Sequence, residues 1–276
     1  MDTSEVHDAI ERIGRLSTIP VVLGRIMDAT KDPSASPRQL YDIISHDPAL
    51  AERVISMANS TFFRHAGRVC DIEQAILLLG YEHIRNIAVS MSVVMMFSKR
   101  SDVNTKQFWA HSYEVAFISA MVAESTTIVS PAEAFLTGLL HDIGRLIFYL
   151  MHREQYLRLL GTDDLLEQES AIFGCDHALA GSWLSQKSHM PREQVLAIRY
   201  HHAPSKATEF RDLTSVVSLS EVLSRRFSPK IEDDGIWTGE HDALLLELSL
   251  GNDDIADIGE RLAGEEQELH KFLELV

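Results

Sequence analysis

The stretch that most constrains this 276-residue chain is Ser130–Tyr149, SPAEAFLTGLLHDIGRLIFY. Ser130 before Pro131, with Glu133 at the third helical position, predicts a capping box with proline in the first turn. Phe135, Leu139 and Ile143 recur every four residues, the spacing of a buried helical stripe. Gly144 is placed to end or bend that helix about three turns in. His141 and Asp142 fall at the end of the stripe. Such groups are costly to bury without partners, and a metal ion is a partner that satisfies both. Taken alone, the pair also fits a core histidine bonded to a neighbour.

Up to about residue 227 the remainder reads as helices joined by short turns. Pro20 can open a helix through Thr30, and DPSASP (Asp32–Pro37) is a turn cluster. Ser36, Pro37 and Gln39 cap a short helix bearing Leu40, Ile43 and Ile44. Asp47-Pro48 opens another with Leu50, Val54, Ile55 and Ala58 inward. Asp71 with Gln74 starts a helix that Gly80 closes, and Ile84, Ile87, Ala88, Met91, Val94 and Met95 form a long stripe after it. No window alternates with period two for long enough to argue a strand, so the chain is expected to be all-α. Residues 1–98 form one helical subdomain of about five helices, and the polar break Ser98–Asn104 separates it from a second, 99–230.

Charge sets the third segment apart. The formal net charge is −16, and Ile231–Val276 alone holds 14 acidic and 2 basic residues. Residues 231–276 therefore read as a solvated acidic appendage on a nearly neutral body. They include a loop with Trp237, an apolar knot at Leu244–Leu250 and a polar helix from Asp253. Neither part has the basic stripe that nucleic acid requires. No apolar run approaches the ~20 residues of a bilayer span. The opening MDTSEVHDAIERIG is too polar for a signal peptide. Cys70 and Cys175 sit in no metal or disulfide spacing, as in a reduced, cytoplasmic protein.

The histidines are where chemistry concentrates. Phe108, His111, Val115, Ile118 and Val122 step along one helical face, which turns His111 inward. Asp176 caps a helix on which His177, Gly181 and Leu184 share a face. Pro191 starts another whose stripe of Val195 and Ile198 runs to His201-His202. Leu213–Arg226 is a further helix, with Glu221 one turn beyond Val217. Five histidines and Asp142 thus meet the core from four successive helices, as in bundles that build metal centres from inward side chains. Imidazole and carboxylate donors without cysteine suit iron, manganese or zinc.

Several spaced motifs carry a family resemblance. WAHS (Trp109–Ser112), GLLHDIGRL (Gly138–Leu146), FGCDHALAGSWL (Phe173–Leu184) and AIRYHH (Ala197–His202) are similar to the HD superfamily of metal-dependent phosphohydrolases. With LSTIPVVLGRI (Leu16–Ile26), IISHDPALAERVISMANS (Ile43–Ser60) and IEQAILLLG (Ile72–Gly80), the chain resembles the HDOD domain, the HD-related output domain of bacterial signalling proteins, over residues 10–227. The resemblance implies a multi-helix bundle of HD-domain type with an amino-terminal helical subdomain. It implies metal ligands at His111, His141 and Asp142. In the two-metal branch that hydrolyses cyclic di-GMP, further histidines complete a second site, and His177, His201 and His202 match them.

Three departures bear on activity. The last metal aspartate of HD enzymes is absent, and Glu221 is the nearest candidate for its place. The lysine after the HD motif of the cyclic di-GMP branch is Arg145, a side chain that can contact phosphate. The Gly-Tyr-Pro signature of that branch is replaced by Ala203-Pro204-Ser205-Lys206. The expectation is therefore an output or regulatory module with a divalent-metal site holding two ions, one or none, that acts through signalling protein partners and takes no nucleic acid or membrane. A metal-dependent phosphohydrolase on a nucleotide or other phosphoester, with Asp142 and Arg145 at the chemistry, is the alternative. Within these 276 residues no receiver, kinase or cyclase segment is read. A helix-turn-helix over Pro37–Phe62 is disfavoured, since Ile43–Arg53 carries as many acids as bases.

Overall fold

The computed structural model describes residues 2–15, 19–31, 36–60, 63, 68–98, 106–228 and 234–276. Among them are sixteen α-helices and no strand. All of the break expected at Ser98–Asn104 but Ser98 itself, and most of the turn at Asp32–Pro37, lie outside the described residues.

The amino-terminal part comprises α1 (Thr3–Arg15), α2 (Ile19–Lys31), α3 (Pro37–Ser45), α4 (Pro48–Ala58), α5 (Ile72–Leu79) and α6 (Tyr81–Ser98). Local sequence sets its boundaries. Ser36 accepts from Gln39 N in a complete capping box, Asp47 accepts from the amides of Ala49 and Leu50, and Asp71 from that of Gln74. Gly80, at φ 89°, turns the chain between α5 and α6. Helix α6 contacts α2, α4 and α5 on one side and the carboxy-terminal bundle on the other. Helix α1, not anticipated from the sequence, leaves this layer and packs on the later bundle, where His7 stacks on Trp183 with centroids 4.2 Å apart.

That bundle is α7 (Lys106–Thr126), α8 (Pro131–Leu140), α9 (Ile143–Leu157), α10 (Leu165–Phe173), α11 (His177–Lys187), α12 (Arg192–Tyr200) and α13 (Arg211–Phe227). Helix α7 lies at its centre, against α8 and α13, and is buried from Phe108 almost throughout to Ala123. Helices α8 and α9 together make a 27-residue apolar stretch with the composition of a membrane span, yet they are mostly buried inside the fold and turn at His141-Asp142.

Two local expectations change here. Ser130 stands at the N-cap of α8 but makes no side-chain cap. Glu133 is instead drawn into a partly buried place near Glu193, Arg85 and Glu82. Gly144 does not end the helix. It lies in the first turn of α9, where a Cβ would sit 2.0 Å from the His177 carbonyl oxygen and 2.6 Å from the Gly181 amide nitrogen. The glycine is there because α9 and α11 meet backbone to backbone, and that contact brings His177 beside Asp142.

The carboxy-terminal helices are α14 (Gly239–Glu247), α15 (Asn252–Ala263) and α16 (Glu266–Leu275). Most of their acids are exposed, but Ile255, Ile258 and Phe272 are buried. Helices α15 and α16 both pack on α7, with Phe272 at 4.9 Å from Tyr113 between ring centroids. Arg53 of α4 donates to the Leu275 carbonyl at 2.8 Å, and Arg261 pairs with Glu124 at 3.0 Å. The segment is not a solvated appendage. It has an apolar inner face, because the i, i+3 pair Ile255 and Ile258 outweighs the surrounding charge.

Candidate metal centre

Helix ends aim most of the polar groups at one point. His141 closes α8 and donates from Nδ1 to the Gly138 carbonyl at 2.7 Å, while Asp142 starts α9. His201 repeats the device at the end of α12, donating from Nδ1 to Ile198 O at 2.7 Å. His177 opens α11, and its backbone N–H and its Nδ1 both meet Glu169 Oε2 at 2.8 Å. A carbonyl can only accept, so Nδ1 carries the proton in His141 and His201, and Nε2 of the neutral ring is a bare lone pair. His111, mid-way along α7, and Glu221, on α13, complete the convergence.

Two sets of donors result. His111, His141 and Glu221 form one, with Glu221 Oε2 at 3.2 Å from His111 Nε2 and 2.9 Å from His141 Nε2. Asp142, His177, His201 and His202 form the other. Asp142 Oδ1 is 3.0 Å from His177 Nε2 and 3.5 Å from His201 Nε2, and Oδ2 is 3.5 Å from His111 Nε2, so this carboxylate spans both sets.

The residues fit a metal on three counts. Bonds of ~2.1 Å to nitrogen and oxygen place neighbouring donors about 3.0–3.4 Å apart, close to the spacings observed. Two imidazole pairs meet nitrogen to nitrogen, His111 with His141 at 3.3 Å and His177 with His202 at 3.0 Å. Nδ1 is the donor in His141 and His177, so in each pair one Nε2 offers a lone pair that a cation between the rings would satisfy. Asp142 Oδ1, His201 Nε2 and Glu221 Oε2 are buried without a hydrogen-bond partner, a state that costs free energy unless something ligates them.

Electrostatics separate the groups. Burial would raise Asp142, but His141, Arg145 and His177 hold its carboxyl well below the usual carboxylate range. At Glu221 burial is likewise outweighed by His111 and His141. Burial, reinforced by His201 and His177, keeps His202 well below its ordinary value, in the neutral form that binds metal.

A buried ring of bonds lies beneath the donors. Arg145 donates from one terminal nitrogen to Asp142 Oδ2 at 2.7 Å and from Nε to the Tyr156 hydroxyl at 3.2 Å. Tyr156 donates to Glu169 Oε1 at 2.6 Å, and Glu169 Oε2 returns to His177. Arg145 is thus fully buried and turned to Asp142 and Tyr156. Glu169 and Tyr156 were not anticipated, although Glu169 stands between Leu165 and Phe173 at four-residue spacing, a charge in an apolar stripe.

All seven candidate ligands, His111, His141, Asp142, His177, His201, His202 and Glu221, are brought together. Asp234, in the turn before α14, was missed, and it lies 3.5 Å from His177 Nε2 and 3.6 Å from His202 Nε2. A cleft of about 270 Å³ reaches the centre past His202 and Asp234. Its described lining includes Asp163, Asp164, Glu167 and Glu240 and no lysine or arginine.

Comparison with known proteins places this geometry in context. The HDOD domain family matches residues 16–204, so Glu221 and Asp234 lie beyond the matched stretch. An uncharacterized protein of Treponema pallidum (strain Nichols) is 25% identical over 224 residues, 78% of this chain and 43% of its own length. The chain therefore spans less than half of that curated relative. A Shewanella amazonensis SB2B protein, provisionally named a phosphohydrolase, superposes with a TM-score of 0.76 at 21% identity, covering 98% of this chain and 97% of its own. An HDOD domain protein of unknown function from Geobacter sulfurreducens gives 0.72 at 21% identity, over 99% and 98%. A Marinobacter aquaeolei VT8 protein, provisionally named for signal transduction, gives 0.74 at 20% identity, over 99% of this chain and 65% of its own. At these identities the likeness is one of fold.

Proposed function

This chain belongs to the HDOD family, and from that premise we propose that it is a signal-transduction output module built on a divalent-metal centre, working through a protein partner rather than by substrate turnover. The observation that carries this reading is the contrast between a donor-rich interior and its mouth. His111, His141, Asp142 and His177 are fully buried, and the cleft leading to them is lined by carboxylates. Such a mouth attracts cations and repels phosphate esters.

Five imidazoles with carboxylates suit iron, manganese or zinc. Both donor sets would hold an ion, with Asp142 shared between them, and the bound ion would supply Lewis acidity at that point. The chain's own residues do the rest. Glu169 fixes the tautomer of His177, Arg145 orients Asp142, and the helix-end carbonyls aim His141 and His201. Arg145 acts as a positioning group, since its guanidinium is spent on Asp142 and Tyr156. A cytoplasmic setting accords with the thiols of Cys70 and Cys175, which are both free.

The test is turnover by metal-loaded protein on bis-p-nitrophenyl phosphate and a panel of nucleotides, beside Asp142→Ala. The expected result is no product above the variant's background. Turnover that Asp142→Ala abolishes would overturn the regulatory reading. It would establish the second one, a metal-dependent phosphohydrolase on a nucleotide or other phosphoester. One observation favours that alternative. A groove adjoining the cleft holds Arg225, Arg226 and Trp237, the charged and aromatic groups such a ligand would use.

A further inference from the structure

We infer that Asp234 is an eighth ligand of the centre, and that through it metal binding fastens the turn leading into α14. The inference rests on the metal reading of the site. Asp234 stands seven residues beyond the end of α13, outside every helix that supplies the other donors. Its side chain is 5% exposed, and neither carboxylate oxygen has a hydrogen-bond partner.

An ordinary buried carboxylate would find a donor at about 2.7–3.2 Å. Asp234 Oδ2 lies 3.5 Å from His177 Nε2 and 3.6 Å from His202 Nε2, distances too long for hydrogen bonds. They approximate the separation of two ligands on one ion, about 3.4 Å for a tetrahedral site. His177 and His202 belong to the set that Asp142 shares, and Asp234 lines the cleft beside them, so it would add an oxygen to that set from the cleft.

The next residue ties the turn to the other set. Gly235 donates its N–H to Glu221 Oε1 at 3.2 Å, and a Cβ there would lie 2.7 Å from Glu221 Cγ. Only glycine allows this approach without displacing Glu221. Asp234 and Gly235 therefore touch both donor sets at once. The turn continues into α14, α15 and α16, and the last two pack on α7, the helix of His111. A ligand bound only when the turn is in place stabilises that placement by mass action, and the coupling is reciprocal.

The experiment uses the full chain, stripped with chelator and titrated separately with iron(II), manganese(II) and zinc. Metal per chain and affinity are measured for the native protein, Asp234→Ala and the near-isosteric Asp234→Asn. Hydrogen exchange is followed over residues 234–247 with and without metal. Helical circular dichroism of the metal-free proteins establishes that the variants fold. The native protein is expected to retain metal and to slow exchange in the turn on binding. Asp234→Ala is expected to lose one equivalent or weaken one site about tenfold or more, and to lose the metal-dependent slowing. Equal stoichiometry, affinity and protection in native and variant proteins would overturn the role of Asp234 and leave the metal centre standing. No uptake by the native protein would overturn both.

Discussion

Glu169 shows how much of this centre depends on a side chain outside both donor sets. It accepts from His177 Nδ1 and from Tyr156, and through Tyr156 it is joined to Arg145 and Asp142. Replacing it by Gln leaves His177 free to change tautomer and removes one charge from a fully buried network. Glu169→Gln is expected to weaken metal binding about 10–100-fold while helical content is kept. It is also expected to lower unfolding stability by about 3 kcal/mol in the metal-free protein, the order of cost for breaking a buried charged pair. Competition with a chromogenic chelator reads the first effect and urea unfolding the second. Unchanged affinity would mean that the ring beneath the donors does not support them. The helical donors were legible in the sequence because each continues an apolar stripe or ends one, as His111 does between Phe108 and Val115. Asp234 was not, because it belongs to an acidic run, IEDDG, in which periodicity distinguishes no acid from the next.

At the scale of elements, the decisive contact is the crossing of α9 and α11. Helix periodicity placed both, but it does not report how near two helices approach. Gly144 read as a helix end or bend for that reason, and it proved to be a point of close backbone contact with α11. Gly144→Ala forces a methyl group into the His177 carbonyl and the Gly181 amide, backbone atoms that cannot rotate away. The expected cost is about 1–3 kcal/mol or more, read from urea unfolding, together with weaker metal binding as His177 moves off Asp142. A neutral outcome in both would contradict this packing. Helix α1 was legible in principle, since Val6, Ile10 and Ile13 keep helical spacing in a polar setting. The acidic opening hid a face that packs on α9 and α11.

For the whole molecule, the all-helical architecture was legible because apolar residues recur at helical spacing along most of the chain. The carboxy-terminal segment was less so. Its net charge suggested solvent on every side, yet Ile255, Ile258 and Phe272 hold it to α7 and Arg53 ties its end to α4. Charge reports which face is outward and not whether another face is buried. The donors come from α7, the α8–α9 turn, α11, the end of α12, α13 and the turn before α14, so a bound ion draws together most of the bundle. At a concentration about 100 times the dissociation constant, metal should add roughly 2.7 kcal/mol of stability, a rise in Tm on the order of 5–10 °C for a chain of this size.

The measurement that bears most directly on the donor cluster is metal per chain. Untagged protein is reconstituted with iron(II), manganese(II) or zinc, desalted and submitted to elemental analysis beside Asp142→Ala. The native chain is expected to keep about one to two equivalents, and the variant markedly less, as the shared carboxylate is lost. Retention below about a tenth of an equivalent by the folded native chain, with no shift in Tm on adding metal, would contradict a metal centre here.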